Sequence, residues 1–382
     1  MEFWQKNLLV CWFSAFFIAS GNNQVAPILP LFIEQLGVQG TEEIAQWSGI
    51  ALGINLLSLA IFSPIWGKAA DRYGRKPMLL RSSFGLAIIV IFMAYVQNVY
   101  QLVGLRMLQG ALSGYISAAI ALVATQTPKE RVGWALGTLS TGQIAGTLMG
   151  PLIGGFLSET LGIRSVFLSI GVFALGAFIA SLIYVKEQFT VMDKRIPNLR
   201  EIWILIPNPR LMIAMFITTF IVQLALLSIQ PIITLYIARL SQDTAHLALI
   251  SGAVVAASGL GSVVAAPWLG QLSDKIGPHK VILAALLVSG ILFLPQAFVE
   301  NPLQLGILRF LLGLATAGLL PAINTLVKRS TPDEIAGRAF GYNQAAQHLG
   351  GFGGAVLGGQ VTAFLGIEYV RSTITCKCVV GL

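Results

Sequence analysis

Eleven long stretches of this chain contain no Asp, Glu, Lys or Arg, and they constrain its fold more than any other feature. Each is at least 18 residues long, close to the roughly 20 residues a helix needs to cross the hydrocarbon core of a bilayer. Only 10% of the residues are charged, against about 25% in a soluble domain. The chain is therefore predicted to be an all-α polytopic membrane protein, with spans at residues 7–33, 44–67, 82–105, 107–128, 132–158, 165–185, 211–238, 244–273, 281–299, 310–327 and 339–367.

The positive charges follow the distribution expected of such a protein. With the N-terminus inside and the stretches alternating, 18 of the 24 Lys and Arg residues fall on the inner side. This is the positive-inside pattern, and it predicts a cytoplasmic N-terminus. It also explains the net charge of +8 without a nucleic-acid partner. The sequence shows no cluster of metal ligands or catalytic residues, so we expect neither a metal, a cofactor nor an enzyme.

The two halves of the chain repeat each other. Gly67–Gly74 recurs as Gly270–Gly277, and Leu105–Gly110 recurs as Leu308–Gly313, both 203 residues later. Parallel repeats of six spans build transporters whose substrate site lies where the repeats meet. We therefore expect an N-terminal half at 1–185, a cytoplasmic linker at 186–209 and a C-terminal half of five spans at 210–367. Residues 368–382 are too few and too polar to span, so we expect the twelfth span to be lost, by truncation or by a shifted reading frame, and transport to be impaired.

A charged turn lies between the second and third predicted spans. It reads Gly67-x3-Asp71-Arg72-x-Gly74-Arg75-Lys76. Glycine permits a tight turn, and a carboxylate here can pair with a neighbouring Arg or accept from the amides of a helix N-terminus. A topogenic charge cluster alone would explain the basic residues. The second copy keeps Asp274 at the same spacing, which favours a specific role.

Arg106 is predicted to lie inside the fourth span. A cation at membrane depth is costly and is a functional candidate by default, although an Arg that reaches for an interface remains the alternative. Gln109, Ser113 and Ser117 follow at helical spacing, on roughly one face of a continuous helix. Arg309 is the repeat counterpart.

The fifth predicted span is rich in small residues. Glycines four apart let helix backbones approach closely, and a proline bends a helix. Nucleotide binding is disfavoured, because no strand precedes the run and the phosphate-loop Lys is missing. The residues concerned are Gly137, Gly146, Gly150, Pro151, Gly154 and Gly155.

These three motifs together resemble those of the major facilitator superfamily, and the glycine run of the fifth span resembles the motif of its twelve-span drug:proton antiporters. The resemblance covers residues 7 to about 367. It implies that Asp71, supported by Arg72, Arg75 and Lys76, forms an ion-paired latch on the cytoplasmic side, and that Asp274 has a weaker counterpart role. It further implies that Arg106 acts in proton coupling, with Arg309 as its mate.

No charge-free stretch supplies a membrane-centre carboxylate, so the proton carrier is not evident. His348 lies in the last predicted span and can titrate near neutral pH, though a hydrogen-bonded packing role is the alternative. Polar residues that could line a substrate cavity could equally hold helices together. They are Asn22, Asn23, Gln24, Ser113, Gln143, Thr219, Gln223, Gln230, Thr316, Asn324 and Asn343.

Two functions remain open at this stage. The first is proton-coupled export of amphipathic drugs by alternating access, in a bacterial-type inner membrane, with lipophilic drugs, protons and the bilayer as partners. It would make the chain an antibiotic-resistance protein. The alternative is specific transport of a polar metabolite by a member of the same superfamily. The mostly apolar composition around the candidate cavity residues favours the first.

Overall fold

The computed structural model describes residues 2–188, 208–241, 246–331 and 336–365, and in these residues the regular elements are all helical. Two short 3-10 turns, Lys129–Arg131 and Pro295–Ala297, accompany the α-helices. The α-helices in chain order are α1 Phe3–Gln35, α2 Thr41–Tyr73, α3 Arg75–Met93, α4 Val99–Leu112, α5 Tyr115–Gln126, α6 Val132–Leu161, α7 Ile163–Tyr184, α8 Pro209–Leu227, α9 Ile233–Leu240, α10 Leu247–Ile276, α11 Pro278–Phe293, α12 Pro302–Thr316, α13 Leu319–Arg329 and α14 Ala336–Leu365.

The predicted all-α membrane fold is confirmed. Ten stretches of helix in the described residues are long and apolar enough to cross a membrane, and two of them are the interrupted spans Val99–Gln126 and Pro302–Lys328. The eleventh predicted span coincides with α14, a 30-residue helix that is not among these ten. Its many glycines and its polar start lower its mean hydropathy. The predicted tail, 368–382, lies outside the described residues.

Two predicted span boundaries are wrong, for one reason. The charge-free stretches 82–105 and 310–327 stop or start beside Arg106 and Arg309, whereas the helices carry these residues in their interiors. The turn between the third and fourth spans lies at residues 94–98, and the tenth span begins at Pro302. When span boundaries are placed at charged residues, a buried Arg inside a helix is therefore mistaken for the end of the helix.

The sequence repeat is visible in the local geometry of the helix starts. The side chain of Asn98 accepts from the backbone N–H of Gln101 at the start of α4, and Asn301 accepts from Gln304 at the start of α12. Gly74 and Gly277 precede α3 and α11 with φ of 93° and 96°. This backbone conformation suits glycine, so both copies of the turn need it.

The chain divides into two compact units. The first comprises residues 1–38 and 54–193, and the second comprises residues 39–53 and 194–382. The long helix α2 therefore contributes its start to the second unit and the rest to the first. Most of the predicted linker, from residue 189 to residue 207, lies outside the described residues.

In the first unit α1 is the central helix, and α6 packs along it through a row of glycines. A methyl group added at Gly146, Gly150 or Gly154 would collide with backbone carbonyl oxygens of α1. The carbonyls belong to Phe16, Ser20 and Gln24, so the glycines and their partners both advance by four residues. Four-residue spacing keeps both rows on one helix face. Since lipid supplies little hydrophobic drive between helices, such close packing is what holds them together.

The second unit repeats this contact. Gly350, Gly354 and Gly358 of α14 lie against the backbone carbonyls of Phe220, Leu224 and Ser228 in α8 and its C-terminal turn. A second glycine face of α14 meets the start of α2, where Gly359 lies against the carbonyl of Ala45. Gln46 and Gln360 are also 3.3 Å apart between their side-chain nitrogen and oxygen. α14 therefore needs glycine on two faces.

Apolar side chains on the helix surfaces complete a membrane-type packing. Large side chains are well exposed in each unit, for example Tyr100 and Trp134 in the first and Phe364 and Leu303 in the second. In a soluble protein such surfaces would mark contact sites, whereas in a bilayer they face acyl chains. α1 is the most enclosed of the ten spanning stretches.

Gly146→Ala tests the close contact between α6 and α1. The added methyl group would lie against the carbonyl of Phe16, and forced overpacking typically costs about 1–3 kcal/mol. We expect the melting temperature of the detergent-purified protein to fall by several degrees.

The control is Gly133→Ala in the same helix, where an added methyl group meets nothing within 4 Å. Alanine also has the higher helix propensity, so this variant should melt at or above the wild-type temperature. Equal melting temperatures for the two variants would contradict the glycine-to-carbonyl packing.

Candidate functional site

The fourth span is interrupted at the point where its polar residues gather. α4 ends at Leu112, Gly114 has φ of 122°, and α5 begins at Tyr115. Only glycine adopts this conformation without strain. The predicted face of Arg106, Gln109, Ser113 and Ser117 is therefore broken, because it assumed a continuous helix. Gln109 accepts a hydrogen bond from Arg106, and Ser117 is exposed on α5.

Arg106 is a buried cation with few partners. Its side chain is 4% exposed, and its Nη1 donates to Oε1 of Gln109 at 3.1 Å. Gln109 in turn reaches Oδ1 of Asn22 at 3.5 Å, and Asn55 donates to the backbone carbonyl of Arg106 at 3.2 Å. Nε and Nη2 of Arg106 have no hydrogen-bond partner among the described residues. A guanidinium presents those two groups as a fork that fits a carboxylate.

Sequence analysis missed a second cation at this break, Arg81 of α3. Its guanidinium lies 3.5 Å from the centre of the Trp66 ring, and its Nη2 donates to the carbonyl of Ser113 at 3.0 Å. Trp66 also donates from its ring nitrogen to the carbonyl of Ala111 at 2.6 Å. The two side chains thus satisfy carbonyls that the end of α4 leaves free. The distribution of Lys and Arg predicts only that Arg81 lies on the cytoplasmic side. No sequence pattern around Arg81 indicates its contact with Ser113, 32 residues later.

The second copy of the Arg motif has a different environment. Arg309 of α12 is 8% exposed, and in the part of the chain that the structure describes its Nε and Nη2 also lack partners. Leu312 occupies the position that corresponds to Gln109. Arg309 lines a small pocket near the break between α8 and α9.

The charged turn after α2 has the predicted ion pair. Nη2 of Arg75 lies 2.6 Å from Oδ1 of Asp71, and both side chains are at least partly exposed, so the pair contributes little to stability. Arg72 lies over the ring of Tyr73 at 5.4 Å. Asp71 could have accepted hydrogen bonds from the backbone N–H groups at the start of α3, but those groups donate to a different carboxylate.

That carboxylate is Glu187, which lies in the predicted linker. Its Oε1 accepts from the backbone N–H of Arg75 at 2.7 Å, and its Oε2 accepts from that of Lys76 at 2.8 Å. The partial positive charge of a helix N-terminus favours such an anion. No pattern near Glu187 indicates its partner, 112 residues earlier.

The two residues that flank Glu187 are also held by hydrogen bonds, here between their backbone groups and side chains of other helices. The side chain of Asn7 makes two hydrogen bonds with the backbone of Lys186, at 2.7 and 2.9 Å. Gln126 does the same for Gln188, at 3.2 and 3.0 Å. The residues after α7 therefore connect the ends of α1, α3 and α5.

The predicted small-residue motif of α6 divides into two groups. Gly146, Gly150 and Gly154 form the contact with α1, while Pro151 and Gly155 are buried in the same helix. Gly137 does not belong to this contact, because an added Cβ there would meet nothing within 4 Å. Gly142 takes its place against the carbonyl of Trp12, and the four-residue spacing could have identified it.

Several cavity candidates hold helices together. Thr219 donates to Oδ1 of the buried Asn343 at 2.8 Å, and Asn343 donates to Asn324 at 3.1 Å. This set links α8, α14 and α13. Thr316 donates to the carbonyl of Leu312 within its own helix.

The remaining candidates lie at separate positions. In the first unit Asn23 donates to the carbonyl of Ala19, Gln24 is buried with its Oε1 unpartnered among the described residues, and Gln143 is half-buried. In the second unit Gln223, Gln230 and His348 are half-buried. The side chain of Asp274 lies outside what the structure describes.

Across the described ranges there is no group of three or more His, Cys, Asp or Glu that could hold a metal ion. The long apolar helices, the paired repeats and the buried arginines define a multi-pass membrane protein of the transporter type.

Comparison with known proteins establishes the family. The model of the major facilitator superfamily matches residues 11–259 and 211–375. This chain belongs to that superfamily, and it is therefore a transporter by descent.

Relatives from several bacteria are named multidrug resistance protein MdtG. That of Yersinia enterocolitica is 44% identical over 96% of this chain and 89% of its own length. That of Escherichia fergusonii is 44% identical over 98% of this chain and 92% of its own length. Among solved structures, the nucleoside transporter NupG superposes with a TM-score of 0.75 at 13% identity, covering 100% of this chain and 98% of its own. At that identity the likeness shows the fold alone.

Glu187→Gln tests the capping of α3. Glutamine keeps one acceptor oxygen but loses the charge, so one of the two amides loses its partner. Loss of a charged cap at a helix N-terminus costs on the order of 1–2 kcal/mol. We expect a lower melting temperature in detergent.

Glu130→Gln removes an exposed carboxylate from the 3-10 turn before α6 and should leave the melting temperature unchanged. If Glu187→Gln were equally silent, the cap would have no energetic role.

Proposed function

We propose that this chain is a proton-coupled multidrug efflux transporter that exports amphipathic drugs in exchange for protons. The observation that carries the proposal is 44% identity over nearly the whole chain to proteins named for multidrug resistance. The excess of Lys and Arg in alternate loops supports a cytoplasmic N-terminus. A bacterial-type inner membrane is the compartment in which such a transporter could use a proton gradient.

Arg106 is the proposed coupling residue. A guanidinium does not release its proton under physiological conditions, so Arg106 does not carry the transported proton. Its Nε and Nη2, unpartnered within the described ranges, can instead bind an anionic group and stabilise its deprotonated form. Burial strengthens that effect, because the local dielectric constant is low.

His348 remains the candidate proton carrier. Its imidazole belongs to the one side-chain type that ordinarily titrates between pH 5 and 8. It stands half-buried in α14, a helix that packs on both α8 and the start of α2 through glycine. A change of charge at His348 would therefore act on a tightly packed helix.

Alternating access is the proposed mechanism. The close packing of α6 on α1, and of α14 on α8, makes each pair move as one piece. The break at Gly114 gives the fourth span a defined place at which to bend. The exposed pair of Asp71 and Arg75 can exchange partners at low cost, which suits a latch that opens and closes in each cycle.

The first test is export of a fluorescent lipophilic cation from energised cells that express this chain. We expect export to stop when a protonophore collapses the gradient. Arg106→Ala should reduce gradient-driven export at least tenfold, because the charge that couples proton and drug is gone.

The control is the amount of Arg106→Ala protein in the membrane, which should match wild type. Export that survives the protonophore would exclude proton coupling, and unchanged export by Arg106→Ala would exclude this residue. Selective transport of one polar solute, with indifference to lipophilic cations, would favour the metabolite alternative.

Asp71→Asn tests the latch. The substitution removes the charge that pairs with Arg75 but hardly changes volume, so we expect a severalfold slower export rate with drug affinity within about twofold of wild type. Glu43→Gln is the control, because it removes an exposed carboxylate at the start of α2. Equal losses of affinity and rate in Asp71→Asn would contradict a latch.

A further inference from the structure

The start of α3 offers few backbone N–H groups to a capping carboxylate. A helix leaves its first four N–H groups without partners inside the helix. Here the N–H of Gly74 is already bonded to the carbonyl of Ala70 at 3.0 Å, and Pro77 has no backbone N–H. Only the N–H groups of Arg75 and Lys76 are left, so carboxylates near this helix start compete for two donors.

Glu187 takes both of these donors. Its Oε1 accepts from the N–H of Arg75 at 2.7 Å, and its Oε2 accepts from the N–H of Lys76 at 2.8 Å. Gly74 leaves room for this carboxylate, because a Cβ added there would lie 2.8 Å from Oε2 of Glu187. With both oxygens engaged, Glu187 closes the start of α3 to other anions.

Glu187 is held in this position from both sides. Asn7 makes two hydrogen bonds with the backbone of Lys186, and Gln126 makes two with the backbone of Gln188. Because the backbone on either side is already fixed, the Glu187 side chain has less conformational freedom to lose when it caps α3. This favours Glu187 over a competing carboxylate.

Asp71 is the carboxylate that Glu187 excludes. It lies in the last turn of α2, four residues before the first residue of α3, where the positive end of the α3 dipole attracts an anion. Its side chain is instead 64% exposed and lies 2.6 Å from Nη2 of Arg75. An exposed ion pair of this kind is weak, whereas backbone N–H groups that donate to a charged acceptor form stronger bonds. Asp71 would therefore move to the helix start if Glu187 left it.

We propose that Glu187 is a positioning residue of the latch. By occupying both free N–H groups of α3, it keeps Asp71 in the exposed pair with Arg75, from which Asp71 can change partners during transport. This inference rests on the proposed function, in which that exchange accompanies opening and closing of the cytoplasmic side. Without Glu187, Asp71 would cap α3 and be withdrawn from the latch.

The second copy of the turn cannot hold the same competition. Pro278 stands at the position of Arg75, so this copy lacks both the guanidinium and the N–H group of that residue. The positioning role of Glu187 therefore belongs to the first copy alone.

Hydrogen exchange on the detergent-purified full chain tests the competition directly. The probe is a peptide that contains the N–H groups of Arg75 and Lys76. In Asp71→Ala we expect these groups to exchange as slowly as in wild type, because Glu187 still caps α3. In Glu187→Ala they should remain slow, because Asp71 takes them over. In the double variant neither carboxylate is present, so exchange should be at least about tenfold faster.

Export measurements with variants of nearly unchanged volume test the consequence for transport. Glu187→Gln should slow export severalfold per folded molecule and leave drug affinity within about twofold of wild type, as expected for Asp71→Asn. The double variant should be no slower than the slower single variant, within about twofold, because both changes act on one pair. Glu187→Asp keeps the charge and should recover part of the rate. Glu130→Gln is the matched control and should export at the wild-type rate.

Three outcomes would overturn the proposal. The N–H groups of Arg75 and Lys76 could exchange rapidly in Glu187→Ala although Asp71 is present. Glu187→Gln could export at the wild-type rate per folded molecule, as a purely structural cap would. The effects of Glu187→Gln and Asp71→Asn on the rate could multiply, which would show that they act separately. Hydrogen exchange needs no drug, so it judges Glu187 even if the chain proves not to export drugs.

Discussion

The structure depends on one constraint, which is that backbone polar groups inside a bilayer have no water to bond. Helices satisfy those groups internally, but they then need another means of holding to each other, because lipid and apolar side chains attract them equally. The glycine rows supply it. Gly146, Gly150 and Gly154 place the backbone of α6 directly on that of α1, and Gly350, Gly354 and Gly358 do the same for α14 on α8. Close backbone contact replaces the hydrophobic drive that packs soluble helices.

Where helices end or are interrupted, polar side chains form hydrogen bonds with the backbone groups that the helix leaves unpaired. The carbonyls at the end of α4 are met by Arg81 and Trp66, and the first amides of α3 are met by Glu187. The broken ends are therefore also the places where charge collects. Arg106 lies two turns before the break of the fourth span. The Nε and Nη2 groups of its guanidinium have no hydrogen-bond partner among the described residues, whereas the backbone carbonyls of Ala111 and Ser113 nearby do.

The repeat explains why both halves have the same contacts, and its imperfections are informative. Asn98 and Asn301 cap corresponding helices in the same way, and Gly74 and Gly277 share one backbone conformation. By contrast, Leu269 and Ala284 stand in the second copy where the first has Trp66 and Arg81. The second copy thus has no cation at the position of Arg81 to cap the break of the tenth span, and Arg309 lacks the amide that accompanies Arg106.

The sequence alone determined the helical membrane fold, the repeat and the location of the charged turn, because each follows from composition or from spacing along the chain. It also indicated that Gly146, Gly150 and Gly154 would lie at a close helix contact, although it missed Gly142 and wrongly included Gly137. Only the tertiary structure decided the partner of each polar group. Glu187 reaches α3 from 112 residues away, and Arg81 meets Ser113 across two helices. Such pairings depend on how helices face each other, and no periodicity within a single helix encodes that.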